Sequence, residues 1–291
     1  DRGDMDRNRR EAPAGERHGN REVRTPSVRV MTFNLRFDNP ADGARAWSFR
    51  KDLVVAVIRR YRPALLGTQE GLTRQLSDLG DALPEYRIHA FPRIDDDTSQ
   101  YPTLFYRSDD LEVREGGEFW LSRTPSIPLS SDWNSAFPRM MSYGTFRHRA
   151  SGRIFLAVVT HLDHASPEAR FEQAAIVSRW VRGRKEPALV MGDFNDSPGS
   201  AVHRLLTGEE TGLRDTWQSL GNGEGPQAFT RHDFEGVPKA ARMDWILAGP
   251  GFDVVDGRIL RDHEGPLFPS DHFPYEAGLA LRERRGVPDI P

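Results

Sequence analysis

Apolar residues come in short runs along this chain, and polar residues recur where the runs end. Residues 28–35 (VRVMTFNL) read as a buried strand with Asn34 near its close. Residues 47–61 place Leu53, Val54, Val57, Ile58 and Tyr61 on one helical stripe, and Pro63 stops it. Residues 64–69 (ALLGTQ) form a second apolar strand, followed by a helix around 73–83 and a strand near 86–91. Residues 104–120 divide into two strands at Ser108-Asp109-Asp110. Residues 143–149 and 153–160 predict a hairpin across Ser151-Gly152. A second amphipathic helix spans 167–181, with its proline at a favourable first-turn position. Residues 188–191 are a short buried strand, 207–236 are loop-rich, and strands return at 243–247, 252–260 and 273–281. Strands dominate, and two stacked sheets with helices outside would bury the faces of both. The order strand, helix, strand, then hairpins occurs twice, a hint of two similar halves.

Residues 1–27 carry many charges of both signs and almost nothing apolar, so a disordered tail is expected there. The ordered domain is then expected over 28–283, with a short tail over 284–291. The first 27 residues hold no apolar stretch like that of a signal peptide, which favours a soluble, cytoplasmic protein over a secreted one; a monomer is expected. No apolar run approaches the roughly 18 residues that a membrane span needs. Cysteine is absent, which excludes disulfides, thiolate zinc sites, iron–sulfur clusters and a cysteine nucleophile. The net charge of −3 argues against a dedicated high-affinity nucleic-acid binder, but leaves room for local phosphate contacts. Lysine occurs only at Lys51, Lys185 and Lys239, and the other 37 basic residues are arginine. GC-rich coding explains that bias as a whole. Only particular arginines can use the guanidinium fork to grip phosphate.

The polar residues at the strand ends change the picture most. Asn34 follows Met31-Thr32-Phe33, Gln69-Glu70 follow Leu65-Leu66, and His161, Asp163 and His164 follow residues 156–159. Asp193 and Asn195 follow Leu189-Val190-Met191, Asp244 sits inside an apolar run, and Asp271-His272 precede the last strand. Any one of these would pass for a turn residue or a helix cap. Six together point to one rim of a layered sheet fold, where active sites are commonly built. Carboxylates, amides and histidines without cysteine suit Mg²⁺ or Mn²⁺ better than Zn²⁺. Such ions neutralise charge on phosphate oxygens and activate water, so the residue types suggest metal-assisted phosphoester hydrolysis.

In chain order, T-F-N-L-R around Asn34, G-T-Q-E-G with Gln69-Glu70, T-H-L-D-H over 160–164, G-D-F-N over 192–195, R-M-D-W-I over 242–246 and S-D-H over 270–272 resemble the endonuclease/exonuclease/phosphatase superfamily. The resemblance runs from about residue 28 to 283. No single motif is decisive, but the six in order are highly specific. The closest look is to the bacterial branch near the deadenylase-like enzymes, where F-W-L-S (here 119–122) precedes a Trp…Pro-Arg segment (here 133–139). The resemblance implies a DNase I-like α/β (α+β) fold, a four-layer αββα sandwich of two packed mixed sheets flanked by helices. It implies a Mg²⁺-dependent hydrolase (Mn²⁺ also serving) that cleaves phosphodiesters or phosphomonoesters by attack of water.

Residue roles follow from the same resemblance. Glu70 is the principal metal ligand with Asn34 beside it, and Asp271 completes the metal or water shell. Asp193 orients the attacking water, and Asn195 holds the scissile phosphate. Asp244 fixes the tautomer and direction of His272, which faces the phosphate, and His161 contacts another phosphate oxygen. Arg139 is a candidate grip on a substrate phosphate, and Trp133 and Phe229 are candidates to stack on a base. Asp163 and His164 are expected just behind the reacting groups. The Asn195-Asp196-Ser197 sequon is discounted, because a catalytic amide would not be exposed to a glycan. In the loop ahead of the R-x-D motif, relatives often place Thr before an aromatic, whereas here Phe229 precedes Thr230. The substrate is left open among RNA, DNA, nucleotides and other phosphorylated molecules.

Three alternatives share fragments of this pattern. The metallo-β-lactamase motif H-x-H-x-D-H meets V-T-H-L-D-H at 159–164, which lacks the first ligand. The calcineurin-like G-D-x-x-D matches 192–196, without the accompanying D-x-H and G-N-H. An inactive phosphate-binding module is the third, and the complete set of Glu70, Asp193, Asn195, Asp244 and His272 argues against it.

Overall fold

The computed structural model describes residues 26–282, with the exception of 95 and 97. In chain order the strands and helices are β1 (Ser27–Asn34), α1 (Trp47–Tyr61), β2 (Leu65–Gln69), α2 (Thr73–Ala82), β3 (Tyr86–His89), β4 (Thr103–Arg107), β5 (Leu111–Trp120), β6 (Met140–His148), β7 (Ile154–His161), α3 (Pro167–Arg182), β8 (Ala188–Asp193), α4 (Ala201–Leu206), β9 (Arg214–Asp215), α5 (Thr216–Ser219), β10 (Asp244–Ala248), β11 (Phe252–Ile259) and β12 (Tyr275–Leu281). Short 3₁₀ turns sit at Pro40–Arg45 and Pro226–Ala228.

The strands make two six-stranded sheets, ordered β11-β12-β1-β2-β4-β3 and β5-β6-β7-β8-β10-β9. Each is built round one parallel pair joined by a crossover helix: β1 and β2 through α1, β7 and β8 through α3. All other pairings are antiparallel. The two similar halves hinted at by the order of elements are therefore real at the level of sheet topology.

Local chemistry explains where the crossover helices stop and start. The α1 stripe ends at Arg62, which takes a left-handed conformation ahead of Pro63. For α3, the Ser166 hydroxyl accepts from the Ala169 N–H, Pro167 fills the first turn, Glu168 lies at the positive end and Arg179 and Arg182 at the negative end.

Three apolar clusters define four layers. Val30, Leu65, Leu104, Phe155, Val159, Met191 and Ile246 fill the space between the sheets. Met31, Phe33 and Leu66 turn outward onto Val54, Ile58, Leu76 and Leu79 of α1 and α2. Leu156, Val158 and Val190 turn outward onto Val177 and Val181 of α3. The central strands are thus buried on both faces, and this is why they read as continuous apolar runs. The sheets approach so closely that a Cβ at Gly67 would lie 2.7 Å from the Met191 sulfur. This is the expected αββα sandwich.

Within the expected tails, only Pro26 and Ser27 are described, and Ser27 already pairs with Ala280, so strand pairing begins one residue before 28. The rest of the tail expected over 1–27, and all of that expected over 284–291, lie outside the described residues. Among the described residues, no helix is long and apolar enough to cross a membrane.

Candidate active site

Sheet register brings the polar strand ends together. In the second sheet His161 pairs with Asp193, and Asp193 pairs with Asp244, so three adjacent strands present three polar side chains in a row. In the first sheet Asn34 pairs with Gln69, and Glu70 follows at once. Because β12 runs antiparallel to β1, with Thr32 opposite Tyr275, the preceding Asp271-His272 segment arrives at the same rim. Asn34 joins the two sheets: its amide donates to Glu70 Oε1 at 3.1 Å and to Asp193 Oδ2 at 2.9 Å.

Gly192 makes the approach to Asp193 possible. A Cβ there would lie 2.1 Å from the Thr160 carbonyl oxygen, so no other residue fits without moving β7. Asp193 Oδ1 accepts from the Asn195 N–H at 2.9 Å. Burial, then the nearby Asp244 charge, push the Asp193 carboxyl up to about 7. His272 Nδ1 lies 2.8 Å from Asp244 Oδ2, and its Nε2 lies 3.9 Å from Asp193 Oδ2. Burial opposes a charge on His272, but the carboxylates of Asp244 and Asp193 outweigh it and raise the imidazole well above its ordinary value. Asp244 Oδ1 is buried and has no hydrogen-bond partner.

His161 behaves in the opposite way. Burial and the charge of Arg139 hold it well below its ordinary value, so it is neutral. Its Nδ1 lies 3.0 Å from Arg139 Nη1; because an arginine can only donate, that nitrogen accepts, and Nε2 carries the proton. Nε2 points its proton at Asp193 Oδ2, 3.4 Å away, while the nearby Asn195 Nδ2 donates to the Leu162 carbonyl at 2.9 Å.

Glu70 stands at a strained corner with φ +64°, and Asn195 and Arg36 are left-handed as well, at +50° and +54°. The Glu70 corner is held by the Phe37 N–H, which donates to Glu70 Oε2 at 3.0 Å. Arg50 of α1 holds the loop behind it. This fully buried guanidinium donates to the carbonyls of Leu35, Arg36, Arg45 and Pro269, tying the segment after Asn34 to the segment before Asp271. Burial lowers Arg50 to about 10 despite the Asp271 charge, still cationic at neutral pH. The Ser270 hydroxyl adds a second tie, to the Asn34 carbonyl at 2.6 Å. Thr230 does similar work across the rim: its hydroxyl accepts from the Met243 and Asp244 N–H groups, and its carbonyl accepts from Phe273.

These groups line one cavity of about 280 Å³, with Glu70, His161, Asp193, Asn195, Asp271 and His272 on its walls. Arg36, Arg139 and Arg231 line it too. Arg36 is paired with Asp42 and Arg231 with Asp233, whereas the nearest carboxylate to Arg139 is Asp163 at 3.8 Å. Arg139 is 5% exposed, and its Nε has no acceptor. Asp163 ties two loops, accepting from Ser135, Ala136, Ala165 and Ser166. His164 lies 3.3 Å from Arg139 Nη2 and lines the cavity beside it, whereas Asp163 stands behind Arg139.

The two aromatics expected to stack on a base are not among the lining residues. Trp133 turns back at φ +55° with the Arg123 guanidinium 4.9 Å over its ring, and Phe229 also lies off the pocket wall. Phe37 and Phe137 line it instead. Arg36, Phe37, Gln100, Phe137 and Arg231, together with the buried Arg50 and Thr230, were not legible as site residues. They lie in loops or on a helix whose direction the strand pattern does not fix. The only sequence signal was adjacency: Arg36 and Phe37 sit within three residues of Asn34, and Arg231 follows Thr230.

The donor set fits a divalent cation. Ligand-type atoms of Glu70, His161 and Asp193 lie within 4.8 Å of one another, and so do those of Asp193, Asp244 and His272; with Nε2 of His161 protonated and His272 charged, the carboxylates are the donors open to an ion. Asp271 lines the same cavity but belongs to neither group. Oxygen donors dominate, the Asp193 carboxyl is driven toward its protonated form by burial and then by the Asp244 charge, and Asp244 keeps an orphaned oxygen. A divalent cation would relieve that charge. The fragments at 159–164 and 192–196 shared with other metallohydrolases fall on β7 and β8 as parts of this one cluster.

Comparison with known proteins identifies a family for this fold. The model of the Endonuclease/Exonuclease/phosphatase family matches residues 31–272. An endonuclease/exonuclease/phosphatase from Bacteroides vulgatus superposes with a TM-score of 0.80 at 32% identity, covering 88% of this chain and 100% of that one. A mannosyl-6-phosphatase from Bacteroides thetaiotaomicron gives a TM-score of 0.76 at 30% identity, over 87% and 100% of the two chains. Human Nocturnin is 23% identical over 300 residues, covering 89% of this chain, which spans 66% of Nocturnin's length.

Proposed function

The chain belongs to the endonuclease/exonuclease/phosphatase family of metal-dependent phosphoester hydrolases, and from that premise we propose that it is a Mg²⁺-dependent phosphomonoesterase acting on a small polar substrate. The observation that carries this reading is the compact cavity that sets Glu70, Asp193 and His272, the last backed by Asp244, against Arg139. A cavity of about 280 Å³ with three arginines on its walls suits a terminal phosphate dianion. A nucleic-acid diester would need a basic track along the chain, and the net charge of −3 offers little material for one. The mannosyl-6-phosphatase relative supports the same choice.

Glu70 would be the principal metal ligand, with Asn34 beside it and Asp271 completing the surrounding shell. The ion would supply charge neutralisation at phosphate oxygens and an acidified water. Asp193 orients the attacking water and, as a carboxylate, takes its proton. Asn195, His161 as a neutral donor, and His272 as a cation hold the phosphate oxygens, and Arg139 adds a fixed positive charge behind them. The water oxygen bonds to phosphorus, the ester P–O bond breaks, and the departing oxygen takes a proton from solvent and leaves as the alcohol.

The test is phosphate release from glycerol 3-phosphate, bis-p-nitrophenyl phosphate, and RNA and DNA oligonucleotides, with Mg²⁺ and with EDTA. Mg²⁺-dependent turnover of the monoester, well above that of the diesters, is expected. Preferred cleavage of an oligonucleotide, or turnover indifferent to EDTA, would overturn the proposal.

A further inference from the structure

A second cavity, of about 240 Å³, adjoins the first and shares Gln100, Phe137 and Arg139 with it. Trp120 at the end of β5 forms its aromatic wall together with Phe137, which is 48% exposed. Thr98 and Ser99 add hydroxyls. None of these positions belongs to the cluster of carboxylates and histidines.

We propose that this cavity is the leaving-group subsite and that it takes one sugar ring, carrying the scissile phosphate on an exocyclic carbon. The inference rests on the monoesterase reading of the neighbouring cavity and extends it to a substrate class. Three observations support a sugar. The first is size: a cavity of about 240 Å³ suits a single ring, not a base with its ribose. The second is hydrogen-bond polarity. The Thr98 and Ser99 hydroxyls already donate to Asp96, at 3.0 and 2.9 Å, so what they offer a ligand is lone pairs. Lone pairs suit a ring bearing O–H donors. The Gln100 amide makes no hydrogen bond among the described residues, and it can both donate and accept. The third is the pair of aromatic walls, since the C–H face of a sugar ring packs on an aromatic face while its hydroxyls point to the polar rim. The exocyclic carbon follows from the two-cavity layout: phosphate and ring must occupy separate spaces, and a CH₂–O link spans between them.

The experiment uses the full chain with Mg²⁺ and compares kcat/KM for mannose 6-phosphate, glucose 6-phosphate, glycerol 3-phosphate and adenosine 5′-monophosphate. A hexose 6-phosphate should exceed glycerol 3-phosphate by about tenfold or more, the equivalent of one good contact. Trp120→Ala and Gln100→Ala should each erase most of that ratio, chiefly through KM, and Trp120→Phe should restore part of it. The ratio is insensitive to loss of folded protein, which lowers both substrates alike. Equal losses on hexose and glycerol substrates would overturn the subsite, as would a preference for the nucleotide. Failure to release phosphate from any monoester would instead remove the monoesterase reading, and the subsite with it.

Discussion

Asp193 is the residue on which the others converge: Asn34, His161, His272 and the Asn195 N–H all approach its two oxygens. Its neighbour Asp244 could be anticipated from the sequence, because a carboxylate inside an apolar strand is costly to bury without a partner. The partner is His272, at 2.8 Å. Asp244→Asn and His272→Asn should each lower kcat by about 10²-fold or more, as expected for losing preorganised charge stabilisation. The double variant should be little worse than the worse single one, because residues acting as a unit are non-additive. Steady-state kinetics of the three variants checks this, and losses that multiply independently would break the pairing. Glu70 invites a different measurement. Its Oε1 and Oε2 each accept one hydrogen bond, from Asn34 and Phe37, which leaves further lone pairs on a residue that lines the cavity. Glu70→Ala should leave the fold intact and greatly weaken Mg²⁺ binding in titration calorimetry; unchanged affinity in a folded variant would remove it as the principal ligand. The stacking role expected of Trp133 and Phe229 illustrates the opposite limit. Residue type tells what a ring can do, but a left-handed backbone at Trp133 decides where the ring goes, and no local pattern announced it.

At the scale of elements, the helices were the most legible part. The stripe over 47–61 matches α1 residue for residue, because Pro63 and the apolar spacing both act locally. The hairpin of β6 and β7 was legible for the same reason: Gly152, at φ +69°, lies in the turn that joins them. The turn at Ser108-Asp109-Asp110 was read correctly as a break, but not as the point where the chain leaves one sheet for the other. β4 joins the first sheet and β5 the second, and that choice depends on non-local packing that the alternation of either strand does not record. The six-residue α4 is too short to show a full helical period and was not anticipated. The clamp from α1 to the rim was equally hidden, since Arg50 sits on a helix as one arginine among many. Its consequence is testable. Lysine cannot reach four carbonyls at once, so Arg50→Lys should leave several buried acceptors unpaired and lower stability by about 2–3 kcal/mol. The same change should raise the Kd for Mg²⁺, because the Leu35–Arg36 carbonyls it releases flank Asn34 and the Phe37 N–H that holds Glu70. Urea unfolding and calorimetry measure the two effects separately. Lost stability with unchanged metal affinity would reduce Arg50 to a packing residue.

For the molecule as a whole, the two sheets bring like charges to a shared rim, and stability must therefore depend on protons and metal together. In the metal-free protein the Asp193 carboxyl is pushed up to about 7 from 3.8, and His272 is raised well above 6.5. A raised value means that the native state binds the proton more tightly than the unfolded chain does. Its contribution is therefore complete below the unfolded pKa and is lost as pH rises through the folded one. For Asp193 that window runs from about 4 to about 7, and for His272 it opens near 6.5 and closes higher. Carboxylates held low, such as Asp163 and Asp215, are ionised in both states above pH 6 and add no slope there. Buried histidines held low (His89, His148, His161 and His232) act in the opposite sense between pH 6 and 8, so the rim's share is read by difference: on going from pH 6 to pH 8 the metal-free protein should fare worse in melting temperature than Asp193→Asn does. A divalent cation prefers the ionised carboxylates and stabilises in proportion to its affinity for the native state. The gain in melting temperature on adding Mg²⁺ should therefore be larger at pH 8 than at pH 6. Asp193→Asn should also shrink the difference between the Mg²⁺ gains at the two pH values, because the amide carries no proton to lose and no charge to offer. Scanning fluorimetry of the full chain, with Mg²⁺ and with EDTA at the two pH values, measures all of these quantities. An equal Mg²⁺ gain at pH 6 and pH 8 in the unsubstituted protein would show that the ion does not compete with protons at this rim, and would place the metal away from Asp193.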